Sequence, residues 1–110
     1  MEGKLKEIKS RYVEIEQYLS NPDIISDQKR FRELNKEHSQ LAPVVARYDE
    51  YTKYRKELSD SRELYKSEDD SSMKEMLQIE IADLEEKIEI LEEKLMVLLL
   101  PKDPHSGKQT

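Results

Sequence analysis

Seven aliphatic residues, Leu77, Ile81, Leu84, Ile88, Leu91, Leu95 and Leu98, follow one another at steps of 4, 3, 4, 3, 4 and 3. Only an α-helix, at 3.6 residues per turn, brings residues with that spacing onto one side. Sustained over three heptads, the pattern is a coiled-coil seam, and it demands a second helix to cover it. Glu85, Glu86, Glu89, Glu92 and Glu93 flank the seam, where pairing and solvent-facing positions fall. Ser72 and Glu75 form a capping box ahead of it. Pro101 stops it. The spacing predicts a helix over 72–100, about 43 Å long at 1.5 Å per residue.

The rest of the chain supplies the cover. Leu5, Ile8, Tyr12, Ile15 and Leu19 repeat the 3, 4 rhythm, which predicts a first helix over 2–20. Ser20-Asn21-Pro22-Asp23 ends it. Ser26 or Asp27 can cap a second helix over 27–66. Its stripe reads Phe31, Leu34, His38, Leu41, Val45, Tyr48, and continues less cleanly through Tyr51, Leu58 and Tyr65. Pro43 lies inside it, yet Leu34 and Tyr48 are 14 residues apart, two whole heptads. The stripe keeps phase across the proline, which predicts a kink or two nearly collinear helices. The polar run 66–72 is a loop. The fold class is all-α: three antiparallel helices over 1–100, a long helical hairpin with coiled-coil-like packing.

Composition agrees. Charged residues make up 40% of the chain and hydrophobic residues 35%, with 2 glycines and no tryptophan, a long-helix profile. Cysteine is absent, which excludes disulfides and thiolate metal sites and fits the cytosol. No apolar run approaches the ~18 residues of a membrane span. The start, MEGKLKEIKSRY, lacks the apolar stretch of a signal peptide. The net charge of −6 is unevenly placed: residues 67–100 carry eleven acidic and three basic side chains. A dedicated nucleic-acid binder shows the opposite bias, and the acidic third reads as a solvated helix face.

No catalytic constellation stands out. His38 sits on a helical stripe and reads as a boundary residue, His105 as a solvated one, and neither has a ligand neighbour at metal spacing. The paired glutamates of 80–93 lack a cleft that could separate two pKa values. Ser106-Gly107-Lys108 has neither the glycine-rich lead nor the strand and helix of a phosphate loop. The chain is expected to bind, not to catalyse, and to need no cofactor. Two basic clusters, Lys29, Arg30 and Arg32, then Lys53, Arg55 and Lys56, read as surface ion pairs or as contacts with RNA phosphates or an acidic protein. Six tyrosines against one phenylalanine suit boundary packing. Leu99 and Leu100 exceed what the seam requires and ask for a second surface; exposed, they would favour weak self-association.

Three segments carry a resemblance. Asn21 to Asp27 is similar to a DPEVISD turn, Arg30 to Glu37 resembles RFRELSKE, and Leu98 to Pro104 resembles LLLPKDP. Together they resemble the N-terminal region of the bacterial class-I peptide-chain release factors that read UAA and UAG. The resemblance covers essentially the whole chain, and LLLPKDP is its most specific piece. It implies a helical first domain over 1–100, and residues 101–110 as the start of a linker into a further domain. It implies contact with the stalk base of the large ribosomal subunit, with the GTPase class-II release factor, and with the rest of the factor's own chain. Leu98, Leu99, Leu100 and Pro101 would then anchor the helix end against that next domain. The Pro-x-Thr and Gly-Gly-Gln motifs of the family, which read the codon and promote hydrolysis, do not occur in this sequence. The chain also departs from the family at His105 to Gln109, where Asn-Asp-x-Lys-Asn is usual. The competing reading is a free-standing coiled-coil adaptor, with the Leu77–Leu98 seam closing a homodimer. An enzyme would need a polar pocket that the sequence does not announce.

Overall fold

The computed structural model describes residues 1–101, and they form helices α1 (Glu2–Leu19), α2 (Pro22–Ile25), α3 (Gln28–Ser67) and α4 (Ser71–Leu99). The Pro-Lys-Asp-Pro linker beyond Pro101, His105 and Ser106-Gly107-Lys108 lie outside the described residues. Three long helices stand where the stripes predict them, and α3 is the spine. At 1.5 Å per residue its 40 residues span about 60 Å, which accounts for the 62 Å length of the molecule. α1 packs on the first half of α3 and α4 on the second, both antiparallel to it.

Polar pairs mark the register of each helix pair. Between α1 and α3 these are Glu2 with Arg55 at 2.8 Å, Lys9 with Asp49 at 3.0 Å and Glu16 with His38 at 3.2 Å. Between α3 and α4, Tyr51 donates to Glu92 at 3.1 Å, Arg62 to Glu85 at 2.7 Å, and Gln78 to Tyr65 at 2.9 Å. As one partner climbs, the other descends, as antiparallel neighbours must.

Two cores result. At the waist, where α1, α3 and α4 overlap, Leu5, Val44, Tyr48, Tyr51, Leu91 and Leu95 pack together. At the N-terminal end of α3, Ile15, Ile24 and Leu34 form a second cluster between α1, α2 and α3. Beyond the waist the hairpin is two helices only, with Leu58, Leu77 and Leu84 buried along its seam but joined to neither core.

The structure sharpens some local details and corrects others. The segment after α1 is more than a break: Asn21 caps α2, its side chain accepting from Asp23 N at 2.9 Å, with Pro22 at the first helical position. This one-turn helix inserts Ile24 into the second core. Asp27, one of the two candidates, caps α3, accepting from Arg30 N at 3.3 Å. α3 runs through Pro43 without a break; the missing N–H leaves only the Ser39 carbonyl without its helical donor. α4 starts one residue before the proposed box, because Asp70 is the cap and accepts from Ser72 N at 3.1 Å. Finally, Leu99 and not Leu98 packs on the waist core. A straight helix turns about 100° per residue, so Leu95 lies directly in line with Leu77, and Leu98 falls about 60° to one side.

Candidate interaction surfaces

The basic clusters do not form one site. They sit about 35 Å apart along α3 at 1.5 Å per residue, and all six residues are exposed. In the first, Lys29 and Arg32 share a face with Lys36, at i, i+3 and i+7, while Arg30 points elsewhere. None of these four has an ion-pair partner among the described residues. Lys29 and Arg30 lie in the first turn of α3, at the positive end of the helix dipole, where the Asp27 cap is the neighbouring carboxylate. Cations next to that end oppose the dipole, and local choices that cost stability concentrate at functional surfaces.

The second cluster divides. Lys53 and Lys56 share one side of α3, and Lys56 meets Asp60 at 3.5 Å. Arg55 belongs to another face, with Ser59, Arg62 and Lys66 at steps of 4, 3 and 4. These four line an open furrow of about 700 Å³ between α3 and α4, floored by Tyr51, Leu58 and Ile88. Two of its three cations are already held: Arg55 by Glu2 and by the Tyr51 ring 5.4 Å away, Arg62 by Glu85. Burial, reinforced by the hydrogen bond to Glu92, pushes the Tyr51 hydroxyl above its usual range and keeps it a donor. The sequence reading missed Lys36, Arg62 and Lys66. Helical spacing from Lys29 and from Arg55 was the signal that finds them.

α1 is fastened to α3 by polar contacts over the second core. Arg11 forks onto Glu37, Nε at 2.8 Å and Nη2 at 2.9 Å, and reaches Glu14 at 2.6 Å. The guanidinium holds the Glu37 carboxyl below the usual carboxylate range. His38 is the boundary residue its position implies: half-buried, stacked on Tyr12 with centroids 4.2 Å apart. Among the described residues no group of three His, Cys, Asp or Glu could hold a metal ion.

Two apolar regions stay uncovered. At the hairpin tip, Leu64, Met73, Met76 and Ile79 are exposed. At the opposite end of α4, Met96, Val97, Leu98 and Leu100 are exposed, Pro101 is exposed after them, and Leu99 is half-buried against the waist core. Glu86, Glu89 and Glu93 are exposed on α4 at i, i+3 and i+7, all without ion-pair partners among the described residues. Among the described residues no helix is long and apolar enough to cross a membrane.

The PCRF domain model matches residues 8–110. Peptide chain release factor 1 of Chloroherpeton thalassium is 48% identical over 103 residues, 94% of this chain and 29% of that protein. The factor of the same name from Chlorobaculum tepidum is 43% identical over 103 residues, again 94% and 29%. That of Alkaliphilus oremlandii is 43% identical over 109 residues, 98% of this chain and 30% of its own length. No solved structure matches the chain with significance. This chain spans under a third of the length of the relatives it matches. With nearly its whole length matched by one family model, the chain belongs to the PCRF domain family of the peptide chain release factors.

Proposed function

We propose that the chain is the helical N-terminal domain of a translation termination factor that directs peptide release at UAA and UAG codons, in the cytoplasm. Its role is docking. It meets the stalk base of the large ribosomal subunit and offers a surface to the GTPase class-II release factor, while codon reading and hydrolysis belong to other parts of the factor. The match of residues 8–110 to the PCRF domain, with relatives named as release factor 1, carries the reading.

The surface charges support a division of labour. Lys29, Arg32 and Lys36 are cations on one face without ion-pair partners among the described residues, the chemistry that RNA phosphates recruit. Glu86, Glu89 and Glu93 have the wrong sign for RNA and suit a protein partner. For the adaptor reading, the seam that would close a homodimer, Leu77, Leu84, Leu91 and Leu95, is buried within one chain.

The test uses the complete factor with Lys29→Glu, Arg32→Glu and Lys36→Glu together. Ribosome affinity should fall, and the slope of log affinity against log salt should shrink by about 2 to 3, near one for each lost phosphate contact. Helicity should not change. Unchanged affinity and slope would reduce the cluster to surface charge and move the docking face elsewhere.

A further inference from the structure

An apolar groove of about 610 Å³ runs between α3 and the last turns of α4, lined by Pro43, Arg47, Glu93, Lys94, Val97 and Leu98. Arg47 and Lys94 have long aliphatic stems, and the Arg47 guanidinium is engaged by Glu50 at 2.8 Å on its own helix. Pro43 brings a ring and no N–H to the rim. Beside the groove the end of α4 is unusually apolar for a surface: Met96 is 60% exposed, Val97 67%, Leu98 40% and Leu100 65%. Neither α1 nor α2 lines it.

We propose that this groove is the seat of the polypeptide beyond residue 110 in the full-length factor, and that Val97 and Leu98 with Pro43 form the apolar floor of that intramolecular interface. The inference rests on the reading of the chain as the factor's N-terminal domain. Three observations select this occupant. The relatives are more than three times as long as the matched region, so a large body of chain remains to be placed. The exit is at the groove: Leu100, next to Val97 and Leu98, leaves α4 in an extended conformation, φ −67° and ψ 140°. Residues 102–110, KDPHSGKQT, have one proline as their sole apolar side chain, so a longer and more apolar stretch of chain suits the groove better. Fully extended they reach about 30 Å, which confines the adjoining polypeptide to the neighbourhood of the groove at a high effective concentration. The anchor is thus not Leu98-Leu99-Leu100 as a block. Leu99 packs on the chain's own waist core, Val97 and Leu98 face outward, and Pro43 and Arg47 of α3 complete the seat.

The chain has no cysteine, so single thiols report cleanly. Val97→Cys, Leu98→Cys and, as a control at the hairpin tip, Ile79→Cys are made in residues 1–110 and in the complete gene product. Alkylation at each position is monitored by mass mapping. Val97→Cys and Leu98→Cys should react at least tenfold more slowly in the complete product, with Ile79→Cys unchanged. Equal rates in both lengths would overturn the proposal. So would protection already present in residues 1–110 that grows with protein concentration, because a second copy would then be the occupant. Peptide release at UAA by the same complete product separates the two claims. Release with an unprotected groove sinks the docking inference and leaves the functional reading intact; protection without release does the reverse.

Discussion

The waist and the hairpin tip are built from the same helices, α3 and α4, and from the same kind of seam, yet they are held differently. At the waist α1 closes over the pair, and Leu5 and Leu95 are wholly buried within a cluster of six residues. At the tip no third helix arrives. Leu58, Leu77 and Leu84 are buried one by one, while Leu64, Met73, Met76 and Ile79 on the adjoining faces stay in water. The difference teaches that seam periodicity guarantees pairing and not a core. A two-helix segment has few buried apolar contacts per residue, the condition for local opening at free energies below the global one. The molecule is a firm waist with a softer arm.

The comparison can be broken most directly in the waist. Leu95→Ala should cost about 2–5 kcal/mol of global stability, since it empties a closed core. Leu91→Ala belongs in the same range, as does Ile15→Ala in the second core; denaturant melts check all three. At the tip, Leu84→Ala removes an equally buried side chain, also within about 2–5 kcal/mol, but the loss should show first as faster amide exchange over 71–84, with exchange at 88–95 much less affected. Equal acceleration along all of α4 would mean the arm and the waist open as one unit.

A smaller effect is expected at the aspartate caps of α3 and α4. Asp27→Ala and Asp70→Ala each remove an acceptor for an orphan N–H and should cost about 1 kcal/mol, the Asp70 change acting on the tip and the Asp27 change on the second core; denaturant melts again give the size. Smallest is the Arg11–Glu37 fork. Because Arg11 depresses the Glu37 pKa, the pair stabilises the fold above the ordinary carboxylate value of 4.5 and loses that contribution as pH falls through the folded-state value. Glu37→Gln should flatten the acid limb of a stability curve, by no more than the roughly 0–1 kcal/mol expected of pairs this exposed. An unaltered limb would show that the fork adds nothing to stability.

Periodicity made three helices and their antiparallel order legible, since a stripe of Leu and Ile at 3, 4 spacing has one physical solution. What it hid were local choices between near-equal donors and acceptors. Asp69-Asp70-Ser71-Ser72 offers several capping residues in a row, and pattern alone cannot rank them. The α2 turn is too short for a stripe, although Asn21 ahead of Pro22 is a helix-start signal. Leu98 and Leu99 exchange roles because heptad counting assumes 3.5 residues per turn and the helix keeps nearer 3.6. Proximity in sequence groups Arg55 with Lys53, whereas proximity on a helix runs by threes and fours and groups it with Arg62 and Lys66. The groove at Pro43 joins residues about fifty positions apart, and only the packed chain reveals it.

The unbroken course of α3 has a mechanical meaning. From Tyr51 at the waist to Ser67 at the tip lie about 24 Å of continuous helix at 1.5 Å per residue. Over that length a small angle at the three-helix crossing becomes a long arc at the tip. Tilting the helix by about 10° there displaces the tip by roughly 4 Å, more than a hydrogen-bond length. A body seated against the near end of such a helix could swing contacts at the far end into or out of register without touching them.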